Sequence, residues 1–153
     1  MYKVLHFVKR KPHLTHEQFR DHFERSHAAM AIKFCGHLFS EYRRNYVGTV
    51  QTGGDPRREG SGYGDREWEW DLISEWILPD EGSLHEIHKI MGLPHYDRLF
   101  HEDEDRFIDR EALVQVPCEV RDTGTTFNPK GTVFDTPTGE PSWEESERLL
   151  GSA

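Results

Sequence analysis

Ten histidines in 153 residues are more than a chain of this size usually carries. An imidazole with an unperturbed pKa near 6.5 can give or take a proton at neutral pH. The best placed of the ten is His27. On a helical wheel of about 100° per residue, Phe19, Phe23, Met30 and Phe34 share one face, and His27 falls between Phe23 and Met30. Asp21, Glu24, Arg25 and Ala28 fall away from that face. A lone imidazole in an aromatic stripe has two readings: a core histidine bonded to a backbone group, or a histidine in the wall of a ligand pocket. Further along, His85, Glu86 and His88 stand together. Imidazoles three apart on a helix share a face. The zinc-protease spacing is four, however, and Cys35 and Cys118 are too far apart to add a cluster, so no metal site is expected. His88 is better suited to reach inward alone. His13, His16, His22 and His101 stand in polar runs and read as surface residues.

The groups that could serve such a histidine come from two other stretches. Asp71 sits between Trp70 and Leu72. Facing a closed cavity, its pKa would rise, and it could act as a base or orient an imidazole; facing solvent, it is one edge carboxylate among several. Tyr42 and Tyr46 could hydrogen-bond a carbonyl or a phenol. Trp68, Trp70 and Trp76, with Phe23 from the helix, could wall a planar hydrophobic ligand, although core packing is the ordinary role of each. Cys35 falls at a helix C-terminus, where the dipole disfavours a thiolate, so it is not expected to be a nucleophile. The GSGYG run at residues 60–64 is followed by neither a helix nor a Lys-Ser/Thr pair, which excludes a phosphate-binding loop.

These residues must be positioned by the elements around them. Residues 2–8 read as a strand rich in β-branched and aromatic side chains. Residues 15–35 read as a helix with a full start signal: Thr15 caps it, Gln18 completes a capping box, and Leu14 can staple to Phe19. Residues 40–50 read as a second strand. Residues 52–66 hold five glycines and a proline and read as a loop, either a hairpin tip or a lid. The alternation in EWEWDLISEWIL predicts a strand over 67–78. A helix is predicted over 80–91 and a shorter one within 95–109, with Leu99 on its buried side. A last strand is predicted over 112–120, and Pro117 confines it to a sheet edge. The order βαββαβ predicts an α+β, ferredoxin-like fold with both helices on one face of an antiparallel sheet. A second copy of the chain is the expected cover for the other face. Residues 1–120 form the domain. Residues 121–153 read as an arm on the surface or on a partner, with Phe127, Phe134 and Trp143 as apolar anchors that the alternative, a disordered tail, would not need.

The net charge of −9 argues against nucleic acid and anionic membranes as partners, since both need a basic footprint. No apolar run of 18 residues suggests a membrane span, and no signal peptide is recognised. Two widely spaced cysteines suit free thiols and a reducing, cytoplasmic setting.

The stretch KRKPHLTHEQFRDHFERSHAAMA at residues 9–31, after a short strand, resembles the opening of EthD-domain proteins, with His27-Ala28 at the family's His-Ala pair. DEDRFIDRE at residues 103–111 resembles the acidic segment before the family's last strand. The resemblance spans roughly residues 1–120. His13 stands where the family's turn has glycine, and the loop 52–66 and the tail depart from its pattern. It implies a homodimeric α+β barrel holding small hydrophobic or aromatic molecules between sheet and helices. The expected function is a cofactor-independent enzyme, acting on a small aromatic or polyketide-like compound by proton transfer with elimination: a dehydratase, lyase or isomerase. His27 would be the acid or base, assisted by Asp71 and His88, with Tyr42 and Tyr46 on substrate oxygens and the tryptophans against the ring. The alternatives are a non-catalytic accessory protein of a catabolic pathway, and a monooxygenase that is cofactor-free or uses haem.

Overall fold

The structure is a computed structural model and describes residues 1–51, 53–55, 57–62, 64–120 and 122. The expected arm over 121–153, apart from Asp122, lies outside the described residues. Strand β1 (Tyr2–Val8) opens the chain, and the long helix follows as α1 (His16–His22), a π-helical turn (Phe23–His27) and α2 (Ala28–Cys35). Then come β2 (Glu41–Tyr46), a two-residue pair of β3 (Val50–Gln51) with β4 (Asp65–Arg66), β5 (Leu72–Leu78), α3 (Glu81–Met91), α4 (Pro94–Phe107) and β6 (Val114–Cys118). The main sheet is antiparallel in the order β2-β5-β1-β6, which is the ferredoxin-like α+β arrangement. β6 is an edge strand, so Pro117 removes no interior ladder bond.

The register decides what faces the helices. Residues directly opposed in an antiparallel pair point to the same side. His6 of the central β1 is opposed by Ser74 on one side and Gln115 on the other. Val4 stands in the next rung beside Trp76, which in turn is opposed by Tyr42. The helices pack on this face in two apolar clusters. One joins Val8 and Leu72 to Phe19, Phe23 and Phe107. The other joins Val4 and Leu78 to Cys35, Leu84 and Ile87. The opposite face carries Leu5 and Phe7 next to Val114 and Val116, which are 41% and 36% exposed. It also carries the ion pair of Lys3 with Glu75, at 3.0 Å.

The long helix starts as the sequence predicts. Thr15 Oγ1 accepts from the Gln18 amide at 3.1 Å, and the Gln18 side chain accepts from the Thr15 amide at 2.9 Å. Its buried side departs from the wheel. The buried positions are Phe19, Phe23, Ala28, Ala31 and Cys35, while Met30 and Phe34 are half-buried. The step of five between Phe23 and Ala28 is the π turn, closed by the Ala28 amide donating to Phe23 O. One extra residue rotates everything after it by about 100° relative to an unbroken helix.

Three other boundaries shift. β5 begins at Leu72, so residues 67–71 are not strand. Asp71 instead donates its amide to Val8 O at 2.8 Å and accepts from Val47 N–H at 2.9 Å. The β2 segment ends at Tyr46, with Val50 given to the separate β3–β4 pair. α4 runs for 14 residues with Pro94 in its first turn, and it buries Phe100, Asp103 and Phe107; Leu99 is only half-buried. No described helix is long and apolar enough to cross a membrane.

Candidate active site

The π turn and α4 together build a carboxylate–imidazole cluster. Asp103 is 4% exposed and sits on the same side of α4 as Phe100 and Phe107. Its Oδ2 lies 3.1 Å from His27 Nδ1. Its Oδ1 accepts from Ser26 Oγ at 2.6 Å and lies 2.9 Å from His22 Nε2. His22 and Ser26 are four apart and lie one above the other on the helix, and the π turn brings His27 onto the same carboxylate. Burial alone would raise the Asp103 pKa. The hydrogen bonds from His27, Ser26 and His22 outweigh it and hold the group at about 2. Asp103 is therefore a carboxylate and only accepts, so Nδ1 of His27 carries a proton. In neutral His27 the lone pair is then on Nε2, the form of a general base held in place by a carboxylate.

His27 lines a cavity of about 160 Å³ between the two apolar clusters. That is close to the cavity of about 150 Å³ known to hold benzene, so the space suits a single ring. The wall is mostly aromatic. Phe23 lies 5.0 Å from the His27 ring, and Phe100 lies 5.8 Å from it. Trp76 faces Phe39 at 5.4 Å, and Phe39 stacks on Tyr42 at 5.3 Å. The polar lining groups are His6, His27, His88, Tyr42, Ser74 and Glu104, with Gln115 at the edge strand. His88 and Gln115 are exposed, which places them where the cavity meets solvent.

Burial sets the protonation of several of these groups. It pushes the Tyr42 hydroxyl up to about 12, against the lesser pull of Arg44 and of a hydrogen bond with Ser74, so Tyr42 is a neutral phenol. Burial also raises Glu104, although His27 and Arg110, whose Nε is 3.2 Å away, oppose the shift. His6 is pushed down to about 4, first by burial and then by the charges of His27 and His88. Its ring lies 4.1 Å from Trp76, and its Nδ1 is buried with no hydrogen-bond partner among the described residues. Among the described residues no three His, Cys, Asp or Glu side chains converge closely enough to hold a metal ion.

Of the residues the sequence singled out, the fold brings His27, His88, Tyr42, Trp76 and Phe23 to this cavity. Four are elsewhere. Asp71 is held by the Arg10 amide at 2.8 Å, Arg10 Nε at 3.1 Å and His16 at 3.1 Å, and it ties the end of β1 to the start of β5. Tyr46 donates to Glu24 at 2.8 Å, on the outer flank of the long helix. Trp70 donates to Ala112 O at 3.1 Å and packs edge-on against Phe7, and Trp68 packs on Trp70. Phe7 points away from the helices, so both tryptophans belong to the other face of the sheet. Their alternation with Leu72 breaks because the strand starts only at Leu72.

Four contributors were not foreseen. The polar run around His22 predicts a surface residue, but His22 is half-buried against Asp103 and against the Phe107 ring at 4.4 Å. His6 had a visible signal, its place between Val4 and Val8 on one strand face. Asp103 had one as well: Phe100, Asp103 and Phe107 fall at i, i+3 and i+7. Glu104 is placed by the cavity alone.

Residues 11–111 match the EthD domain family. A solved ethyl tert-butyl ether D (EthD) family protein from Bacillus halodurans C-125 is 18% identical with a TM-score of 0.50, over 79% of this chain and all of that one. HapK from Hahella chejuensis is 9% identical with a TM-score of 0.51, over 82% of this chain and 98% of that one. At those identities the two structures share the fold with this chain. No curated protein matches the sequence.

Proposed function

We propose a function from the premise that this chain belongs to the EthD domain family: it is an enzyme that moves a proton on a small aromatic or polyketide-like ring compound, leading to elimination or isomerisation. The observation that carries this reading is His27, set in the wall of an apolar cavity of ring size and held through Nδ1 by the buried Asp103 carboxylate. Nε2 of His27 takes a proton from a carbon next to a carbonyl. Asp103 steadies the imidazolium that results. Glu104, whose pKa burial raises, or His88 at the mouth, protonates a departing hydroxyl so that it leaves as water. Tyr42 is a neutral phenol in the same wall and can hold a substrate oxygen. Asp71 has no part in this scheme, because Arg10 and His16 hold it outside the cavity.

An accessory binding protein would need an apolar pocket and no converging acid–base groups. The cluster of Asp103 and His27, with Glu104 nearby, favours catalysis over that reading. The enzyme acts as a homodimer, with the sheet face that carries Val114 and Val116 against a second copy; the exposure of these apolar side chains supports this.

The test needs no knowledge of the natural substrate. The protein is incubated in deuterium oxide with a simple ring ketone, and deuterium incorporation next to the carbonyl is followed by NMR. Exchange well above the buffer rate is expected. His27→Ala should slow it by about 10²- to 10⁴-fold, the usual worth of a positioned general base. A ketone that binds but never exchanges, or exchange that survives His27→Ala unchanged, would overturn the reading.

A further inference from the structure

We propose that His6 is the hydrogen-bond donor that holds the substrate's oxygen, and that the cavity selects uncharged ring compounds bearing an enolisable carbonyl or a phenolic hydroxyl. The inference rests on the proton-transfer reading of the same cavity and gives that reaction its second imidazole.

His6 stands at the centre of the sheet, between Ser74 and Gln115, and its ring forms part of the cavity floor against Trp76. Its Nδ1 is sealed from solvent and has no partner among the described residues. A sealed N–H without an acceptor is harder to accommodate than a sealed lone pair, so the ring proton belongs on Nε2. His6 is neutral at pH 7, because burial opposes a second proton on its ring. It therefore offers one neutral N–H to the cavity. His27 has the complementary arrangement: Nδ1–H is taken by Asp103, which leaves the lone pair on Nε2.

Enolisation needs these two groups on neighbouring atoms. The C–H bond beside the carbonyl breaks and its proton passes to His27 Nε2. The electron pair moves into a new C=C bond, and the carbonyl π pair moves onto oxygen. The Nε2–H of His6 meets that developing negative charge. A neutral imidazole suits this task, since it stabilises the enolate oxygen without protonating it outright. Protonation of another carbon, or loss of a β-hydroxyl as water, then completes isomerisation or elimination.

The lining also sets the charge of the ligand. Among the described residues no lysine or arginine lines the cavity, and the acidic Glu104 does. A carboxylate would be buried there without a counter-charge, which is strongly unfavourable. A phenol or ketone presents the same acceptor without that cost.

The experiment uses the full chain and three probes of similar size: phenol, toluene and benzoate, each titrated by calorimetry at pH 7. Phenol should bind and benzoate should not. His6→Phe should weaken phenol by about tenfold, the worth of one buried hydrogen bond, and leave toluene within twofold. His6→Gln, whose side-chain amide can stand in for Nε2–H, should recover most of the loss. Equal weakening of phenol and toluene would overturn the donor role, and benzoate binding as well as phenol would overturn the selectivity. Nitrogen-15 NMR on the unaltered protein gives a second readout: His6 should carry its proton on Nε2, and an Nδ1–H tautomer would overturn the proposal. The two readings fail separately. Ketone exchange that needs His27 but ignores His6→Phe sinks only this inference. The expected phenol results alongside exchange indifferent to His27→Ala sink only the catalytic base. If no ring compound binds the unaltered protein, both fall.

Discussion

Acidification should cost this protein stability through His6, and the cost can be worked out. The unfolded chain binds a proton at His6 near pH 6.5, while the folded chain resists until about 4. The sign follows from linkage. Between those values the unfolded state holds more protons, so the stability present above pH 6.5 is lost as pH falls toward 4. The difference corresponds to about 3 kcal/mol in full, most of which is gone by pH 4.5. That is a large share of the 5–15 kcal/mol typical of a domain. Other groups titrate nearby. Glu104, raised by burial, works in the opposite direction, and Glu24 and Glu75, each lowered chiefly by a hydrogen bond from a basic partner, lose their contribution below about 4.5. Asp103 contributes only as pH falls from 3.8 toward about 2. A comparison with His6→Gln removes these shared terms. Urea melts of the two proteins, at one protein concentration and at intervals from pH 7 to 4.5, should show the unaltered protein losing about 2 to 3 kcal/mol relative to the variant. Parallel stability profiles would refute the idea of a histidine buried in neutral form, and with it the assignment of a fixed N–H donor to the cavity.

Three further outcomes follow from the geometry. Asp103→Asn removes the charge that His22, Ser26 and His27 share; it should lower stability by about 3 kcal/mol in urea melts and abolish ketone exchange, and a change below about 1 kcal/mol would contradict the buried network. Tyr46→Phe breaks only the bond to Glu24, so it should cost about 1 kcal/mol and leave phenol affinity untouched; altered affinity would put Tyr46 back in the pocket. Val116→Asp places a charge on the exposed apolar face of the sheet and should convert the proposed homodimer to a monomer by light scattering; a dimer unchanged by it would locate the interface elsewhere, and a monomeric unaltered protein would overturn the dimer.

Much of the architecture is legible in the sequence because local and global signals agree there. Thr15 and Gln18 announce the first helix, and Pro117 marks an edge strand. β2 alternates between exposed and half-buried residues along its whole length, as a strand with one covered face does. What misleads is the run before Leu72. Trp68 and Trp70 continue the alternation of β5 by type, and nothing local distinguishes them from strand residues. Their positions are decided by tertiary bonds: the Asp71 amide to Val8, and the Trp70 indole to Ala112. Period-2 patterning cannot register a contact between residues that far apart in the chain.

The site was half legible for a related reason. His27 is visible as an imidazole among aromatics, but a wheel drawn at constant pitch places Ala28 outside and Met30 and Phe34 inside, whereas Ala28 and Ala31 are the buried residues. The five-residue π step is the cause, and it bears directly on the chemistry. With small residues at 28 and 31 the helix can lie over the cavity without filling it, and the Ala31 side chain is part of the wall. The same turn brings Ser26 and His27 together onto one carboxylate. A π turn gives up ideal helical hydrogen bonding and persists where the surrounding structure compensates; here the compensation is the buried Asp103. The fold thus ties a local helical irregularity, an ionised carboxylate and an oriented imidazole into one unit. That explains why replacing Asp103 should disturb stability and catalysis together, while His6→Gln, which keeps an N–H donor but cannot take up a proton, should change the pH dependence of stability and spare ligand binding.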